Sequence, residues 1–471
     1  MEPYALTLTQ ASQAIASGEL SPVELTRSCL ERIDACEENL HALVTVTAEQ
    51  ALEAATAAEQ AIARGGPRGV LHGIPYGAKD LYNTQGIPTT SSSKVRADFV
   101  PDHDSAAVES LTNAGMVLLG KAHTHEFAFG GITPTTRNPW DTARVPGGSS
   151  GGSAAGVAAG YFPAALGTDT AGSIRIPSAV CGTVGLKPTY GRTSRYGVAS
   201  LSWSLDHVGP ITRSVRDAAL VLNALCGYDP RDPASIDVAC ADFTAGLEQG
   251  IEGLRIGVPQ NYFTDLVTPD TVTAVARAVE VLEAGGARIV PITIPHADRF
   301  KAVEWTIMMA EASAYHRASM RDSYELYTED VRAFLEVGET ILATDYIDAH
   351  RHRHQIKDDW KALLDEVDVV VAPTTPMPAV SVEDLMCSWP DGTQEHATEA
   401  YTRLCIPANL TGLPAISVPC GTTDHGLPVG LQVIGRAFEE TTILRAAHYF
   451  EMATDHIGKI APAGQTIGRP A

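Results

Sequence analysis

Apolar positions in the first 65 residues recur at helical spacing. Ser21-Pro22-Val23-Glu24 places an N-cap, a proline at the first helical position and a capping-box Glu ahead of an apolar face of Leu25, Cys29, Leu30 and Ile33. The Ala-rich stretch 48–64 predicts a second helix, ended by Gly65-Gly66-Pro67. From Val70 the pattern changes to short apolar runs (Ile74, Val117-Leu118-Leu119, Ala164-Ala165-Leu166) bounded by Gly, Pro, Asn and Asp and alternating with helical segments at 105–114 and 214–226. That alternation predicts an α/β sheet. Strands are expected at Leu254–Pro259, 287–290 and Val367–Ala372, with an amphipathic helix at 269–285 making a late βαβ unit. No linker or repeat divides the chain, so one compact unit, 1–471, is expected. It would carry N-terminal helices over 1–65, a Gly/Ser-rich region within 66–230 and a helical insertion at 300–366. Met308, Met309, Tyr315, Tyr324 and Tyr327 in that insertion suit a helical core or the lining of a pocket.

Composition narrows the function classes. With 56 Asp and Glu against 34 Lys and Arg, the formal net charge is -22, which opposes binding of nucleic acid through the overall field. No run of 18 apolar residues is present, and the opening MEPYALTLTQ has neither a basic nor an apolar leader segment, so the chain reads as cytoplasmic and not membrane-bound. Its eight cysteines are scattered without a C-x-x-C pair, which predicts reduced, buried thiols; Cys181 near the Gly/Ser-rich region suits packing better than nucleophilic attack.

The densest chemical signal is Pro146-Gly147-Gly148-Ser149-Ser150-Gly151-Gly152-Ser153, followed by Gly167-Thr168-Asp169-Thr170-Ala171-Gly172-Ser173-Ile174-Arg175. Glycines let backbone N–H groups approach a reacting atom. A phosphate-binding loop would need a Lys-Ser or Lys-Thr after the glycines, and none follows. Gly147-Gly148-Ser149-Ser150-Gly151 fits a G-x-S-x-G nucleophile elbow with Ser149 as nucleophile, as in an α/β-hydrolase-type esterase, although 140–146 is a poor preceding strand. A third reading joins these segments to Gly73-Ile74-Pro75-Tyr76-Gly77-Ala78-Lys79-Asp80.

Taken together, GIPYGAKD, GGSSGGSAAG and GTDTAGSIRIPSAVCGTVGLKP closely resemble the amidase signature family. Further similar elements stand at Thr189–Arg192, Ser204–Pro210, His125–Phe127, 373–376 and Asn409–Ala415. The resemblance implies an α/β fold in a single large amidase-signature domain, a central mixed β-sheet flanked by helices. It implies a carboxamide hydrolase with Ser173 as nucleophile, Ser149, on a cis peptide, as the bridging serine, and Lys79 as the base. A lysine base must be neutral, so its pKa has to fall from about 10.4. Were the segment around Lys79 extended, Asp80 would point to the opposite face and not oppose that fall. The backbone N–H groups of Thr170, Ala171, Gly172 and Ser173 are implied as an oxyanion hole; Ala171 departs from the glycine of many relatives. Ser150, Asp169 and Arg175 match bracing positions, with an Asp–Arg pairing, while Asp169 taken alone also reads as a turn residue.

Tyr76, Phe129 and Trp203 are candidate pocket residues, together with the 300–366 insertion. His350-Arg351-His352-Arg353-His354 reads as an exposed, charged helix face and not a metal site, because its arginines repel a cation; His123 and His125 are expected to shape the site. No cofactor is implied. The expected partner is a small-molecule amide, aryl-amide, anilide or carbamate, and a small homo-oligomer is the default for a soluble enzyme. Two other functions stay open: the A subunit of the glutamine-dependent aminoacyl-tRNA amidotransferase, working with partner subunits, and a catalytically silent binding member.

Overall fold

The computed structural model describes residues 2–464. Its strands are β1 (Leu43–Val46), β2 (Pro75–Lys79), β3 (Val117–Ala122), β4 (Ala164–Asp169), β5 (Val184–Lys187), β6 (His207–Thr212), β7 (Arg255–Pro259), β8 (Arg288–Ile292), β9 (Val369–Pro373), β10 (Met386–Ser388), β11 (Gln394–His396), β12 (Ala415–Thr422) and β13 (Pro428–Gly435). Eleven of them form one mixed sheet in the order β1-β3-β2-β4-β6-β5-β12-β13-β9-β7-β8. Parallel pairs toward each end (β2 with β3 and β4; β7 with β8 and β9) flank an antiparallel middle, and the edge strand β1 pairs antiparallel with β3. The β10–β11 pair stands apart.

The N-terminal helices form where expected. Ser21 and Glu24 make a reciprocal capping box on the helix Pro22–Leu40, and the Ala-rich helix runs Ala48–Gly65. The late βαβ unit is β7, helix Pro269–Ala284 and β8, in parallel register. The segment 300–366 consists of helices Phe300–Asp322, Glu329–Thr340 and Ala343–Glu366, whose Phe300, Ile307, Met308, Leu335 and Trp360 pack with Leu81, Phe127 and Phe129.

Small residues bring the glycine-rich helix Gly151–Ala159 onto the sheet. A methyl at Gly77 of β2 would sit 2.4 Å from the Phe162 ring, and one at Gly152 would meet the Ala42 carbonyl at 2.4 Å and the His123 backbone nitrogen at 2.6 Å. The helix start is thereby seated against the ends of β1 and β3. This close seating fixes where the Ser149 loop lies relative to β2.

β2 ends in Lys79-Asp80, whose side chains diverge. Asp80 forms a fully buried ion pair with Lys121 of β3 at 3.2 Å and accepts from the Thr90 N–H at 2.9 Å and the Thr90 hydroxyl at 2.6 Å. Removing one partner of such a pair strands the other charge. Lys121→Met is expected to cost about 3–5 kcal/mol in urea unfolding at pH 7, with much of the loss recovered by adding Asp80→Asn. Wild-type stability in the single variant would dismiss the pair as a lock on β2.

One expectation about cysteine fails. Cys226 and Cys240 form a disulfide, with Cα atoms 6.1 Å apart; the other six thiols are free and buried. The chain after helix Val215–Leu225 folds back on it, Asn223 bonding to Asp242 (2.9 Å) and to the Phe243 N–H (2.8 Å), and this brings the pair together. Among the described residues no helix is long and apolar enough to cross a membrane.

Candidate active site

Lys79 leaves the end of β2 fully buried, its Nζ 2.7 Å from Ser149 Oγ and 2.8 Å from Thr168 Oγ1 on the adjacent β4. Burial pushes the Lys79 ammonium well below its ordinary range, against the opposing pull of Asp169 and Asp206. Thr168 supplies a second neutral oxygen and no compensating charge. In the sequence Thr168 carries no signal of its own beyond its place in the motif.

Ser149 follows a cis peptide bond from Gly148. Its carbonyl accepts from the His125 N–H at 3.1 Å and the Thr133 hydroxyl at 2.9 Å, and the same hydroxyl accepts from the Gly151 N–H at 3.0 Å. Ser150 links this loop to the next: its N–H donates to the Ser173 carbonyl at 3.2 Å and its hydroxyl to the Thr168 carbonyl at 3.2 Å. Ser149 is wholly buried, whereas Ser173 keeps 6% exposure, and Ser173 Oγ has no hydrogen bond to any described residue, Ser149 included. Of the two serines, only Ser173 has any exposed surface.

Asp169 and Arg175 pair in full burial, with Nε to Oδ2 and Nη2 to Oδ1 both at 3.0 Å. Burial alone would raise the Asp169 pKa, yet the Arg175 guanidinium outweighs it and holds the carboxyl well below the usual range. Asn409, in the Asn-Leu-Thr-Gly-Leu-Pro element, donates to Asp169 at 2.8 Å and accepts from Arg175 at 2.6 Å, and Gln432 accepts from Arg175 at 3.1 Å. The turn reading of Asp169 also holds locally, because its carboxylate accepts from the Gly172 N–H at 2.9 Å.

That bond corrects the expected oxyanion hole. The Gly172 N–H is committed to Asp169, so the donors left without a partner among the described residues are those of Thr170, Ala171 and Ser173. Thr170 is held through its side chain, donating to Asp206 at 2.6 Å.

Beside this segment lies a cavity of about 170 Å³ lined by Thr168, Thr170, His207, Leu81, Ala128 and Trp203. His207 donates through Nδ1 to the Leu205 carbonyl at 2.6 Å; burial drives its pKa well down, and its Nε2 has no partner among the described residues. A neutral imidazole acceptor there was not read from the sequence, where His207 was merely part of a motif.

The pocket candidates divide. Trp203 is 57% exposed and lines both this cavity and an outer one of about 800 Å³ formed with the 300–366 helices, where Tyr315 also stands. Tyr76 does not line it: alternation along β2 turns it opposite to Lys79 into the core. Phe129 is likewise a core residue, packed on Phe334 with ring centroids 5.0 Å apart; its neighbour Ala128 faces the cavity instead. Met308 and Tyr327 are buried, Met309 packs at the core's edge, and Tyr324 is partly exposed.

His352 and His354 lie exposed, as expected, but Arg353 is buried and grips Ser204 (3.0 and 2.9 Å) and the Leu410 carbonyl (2.8 Å). The helical period turns it inward between the two histidines. Cys181 is wholly buried, its thiol donating to the Pro146 carbonyl at 3.3 Å, and burial pushes its pKa up. His123 meets Ser92 Oγ at 3.1 Å, and His125 meets Asp330 at 3.0 Å. Among the described residues no cluster of three or more His, Cys, Asp or Glu side chains is placed to hold a metal ion.

Residues 24–444 match the Amidase family model. An amidase from Pseudomonas putida is 48% identical over 450 residues, spanning 95% of this chain and 96% of its own length. The glutamyl-tRNA(Gln) amidotransferase A subunit from Chloroflexus aggregans (strain MD-66 / DSM 9485) is 43% identical, spanning 96% and 97%. A solved chain from a vestigial protein complex described as revealing the evolutionary origins of an s-triazine catabolic enzyme superposes with a TM-score of 0.92 at 34% identity, spanning 97% of this chain and all of that one. This chain therefore belongs to the amidase signature family, whose fold is the single mixed-sheet α/β domain seen here. It is an enzyme of amide C–N hydrolysis.

Proposed function

We propose that the chain hydrolyses a small carboxamide through an acyl-enzyme on Ser173, with Ser149 and Lys79 relaying the proton. The observation that carries the reading is Lys79, buried and depressed in pKa, 2.7 Å from Ser149 Oγ. In the neutral amine the Nζ lone pair accepts the Ser149 proton, and Ser149 in turn accepts that of Ser173 as it attacks the amide carbon. The oxyanion then draws the N–H groups of Thr170, Ala171 and Ser173, each such donor being worth roughly 3 kcal/mol of barrier. Return of the proton through Ser149 to the leaving nitrogen releases ammonia or an amine, and water completes the hydrolysis. Esters, anilides and carbamates are accessible to the same sequence of steps.

The test is an acid quench of the enzyme during turnover of short aliphatic amides, aryl amides, anilides and carbamates, followed by peptide mass analysis. The acyl mass is expected on the peptide holding Ser173. An adduct confined to Ser149 would overturn the assignment in favour of a nucleophile elbow at Ser149, a reading its full burial disfavours.

A second reading has its own support in the 43% identity to an amidotransferase component and in the likeness to a chain from a protein complex. On that reading the protein acts as one member of an assembly. Glutamine hydrolysis appearing only with added partner subunits is its signature, whereas turnover of simple amides by the purified chain supports the free-standing enzyme.

A further inference from the structure

The loop Ser200–Asp206 is gripped from both sides. On its inner side, the Asp206 carboxylate accepts from the Thr170 hydroxyl (2.6 Å), the Ser200 hydroxyl (2.7 Å) and the N–H groups of Leu201 and Ser202 (both 3.0 Å). On its outer side, Glu311 of helix Phe300–Asp322 accepts from the Ser202 hydroxyl and from the Ser204 N–H at 3.1 Å, while its other oxygen takes the Tyr346 hydroxyl at 2.9 Å. Glu311 is 7% exposed, and among the described residues no Lys or Arg nitrogen lies within 4 Å of it; the nearest titratable nitrogen is that of His350, at 3.9 Å, whose pKa burial lowers. A buried carboxylate in that setting is held by the hydroxyl and N–H donors it fixes, so removing it releases all three.

The consequence falls on the segment after β4. Gly172 is tethered through its N–H to Asp169, but the Thr170 N–H is oriented by the side-chain bond to Asp206. An oxyanion donor works only at about 2.7–3.1 Å from the developing charge, so a loop displaced by a few tenths of an ångström changes the barrier more than it changes ground-state binding. We propose that Glu311 is a positioning residue, which through Ser202, Ser204 and Asp206 fixes Thr170 and thereby the oxyanion donors. This rests on the Ser173 reading above, and it gives the 300–366 insertion a part in the chemical step besides shaping the outer cavity.

The experiment measures kcat and KM on the preferred amide for Glu311→Ala, Glu311→Gln, Thr170→Val and the Glu311→Ala/Thr170→Val pair, with inhibition by a trifluoromethyl ketone analogue of that amide. Glu311→Ala and Thr170→Val should each lower kcat roughly 10–100-fold, in the range of a misplaced oxyanion donor, and leave KM nearly unchanged. Glu311→Gln should stay near wild type, because its amide oxygen still accepts from Ser202 and Ser204. The pair should lose no more than the worse single variant, and affinity for the ketone, which mimics the tetrahedral adduct, should fall in step with kcat.

Multiplicative losses in the pair, a change confined to KM, or an unaltered kcat in Glu311→Ala would each overturn the proposal. Should Glu311→Ala fail to fold, Ser202→Ala and Thr170→Val pose the same question, and full activity in both overturns it. Ser173→Ala separates the two levels: turnover that persists in it removes the underlying reading, whereas turnover that vanishes in it while Glu311 proves indifferent removes the proposal alone.

Discussion

Lys79→Met is expected to abolish catalysis and at the same time raise the melting temperature. The loss of kcat/KM should be about 10³-fold or more, because the variant removes the only group among the described residues placed to take the Ser149 proton. The gain follows from linkage. An ordinary lysine titrates near 10.4 when unfolded, whereas burial holds Lys79 well below that. Between the folded and unfolded pKa values the unfolded chain binds the extra proton, so stability rises with pH across that window, by up to about 1.4 kcal/mol per pH unit. Below the unfolded value the wild type carries the cost of this burial, and Met, which carries no charge to desolvate, escapes the penalty. Part of the gain is offset by the two hydroxyls, of Ser149 and Thr168, left without the amine.

The two halves of that prediction are checked independently. Wild-type kcat/KM should fall as pH drops through the lowered Lys79 pKa, and the wild-type melting temperature should rise with pH where that of Lys79→Met stays flatter. Equal pH slopes for both proteins would mean that Lys79 is charged in the folded state, and the base assignment would fall with it.

Much of this was legible in the chain because the signals are local. The capping box at Ser21–Glu24 and the glycine-rich segments declare themselves in short runs, and the βαβ unit of β7 and β8 within the continuous stretch 255–292. Alternation along an extended β2 was enough to separate Asp80 from Lys79. Long-range pairings left no such trace. The antiparallel β12–β13 pair joins the two parallel ends of the sheet through β5 and β9, residues more than 200 and about 60 positions away. The partner of Asp80 is Lys121, some 40 residues on, in a strand whose lysine looks like any surface residue. Tyr76 and Phe129 failed as pocket residues for a related reason, since an aromatic beside a catalytic motif is as useful to the core as to a ligand. The commitment of the Gly172 N–H to Asp169 depends on a turn that residue types alone do not specify.

The Asp169–Arg175 pair should give a stability effect as large as that of the Asp80–Lys121 pair, with a consequence for activity besides. Arg175→Leu removes five hydrogen bonds, to both Asp169 oxygens, the Asn409 side chain, the Gln432 side chain and the Cys405 carbonyl, and leaves a carboxylate without its cation in full burial. The expected cost is about 3–5 kcal/mol in urea unfolding at pH 7, enough to threaten a domain of ordinary stability. The pH dependence identifies the cause. In the wild type the Asp169 pKa is depressed below its unfolded value of about 3.9, so its contribution is complete above that value and declines only in strong acid. Without Arg175, burial dominates and raises the Asp169 pKa, so the variant is most penalised where the carboxyl must ionise and least where it is protonated. The gap between the two proteins should therefore be widest near pH 7 and narrow towards pH 4, and Asp169→Asn added to Arg175→Leu should flatten it. A gap independent of pH would assign the loss to the Arg175 packing and its neutral hydrogen bonds. Because Asp169 also holds the Gly172 N–H next to Ser173, the proposed nucleophile, activity in the surviving folded fraction should fall as well, which links this fully buried charge pair to the placement of Ser173.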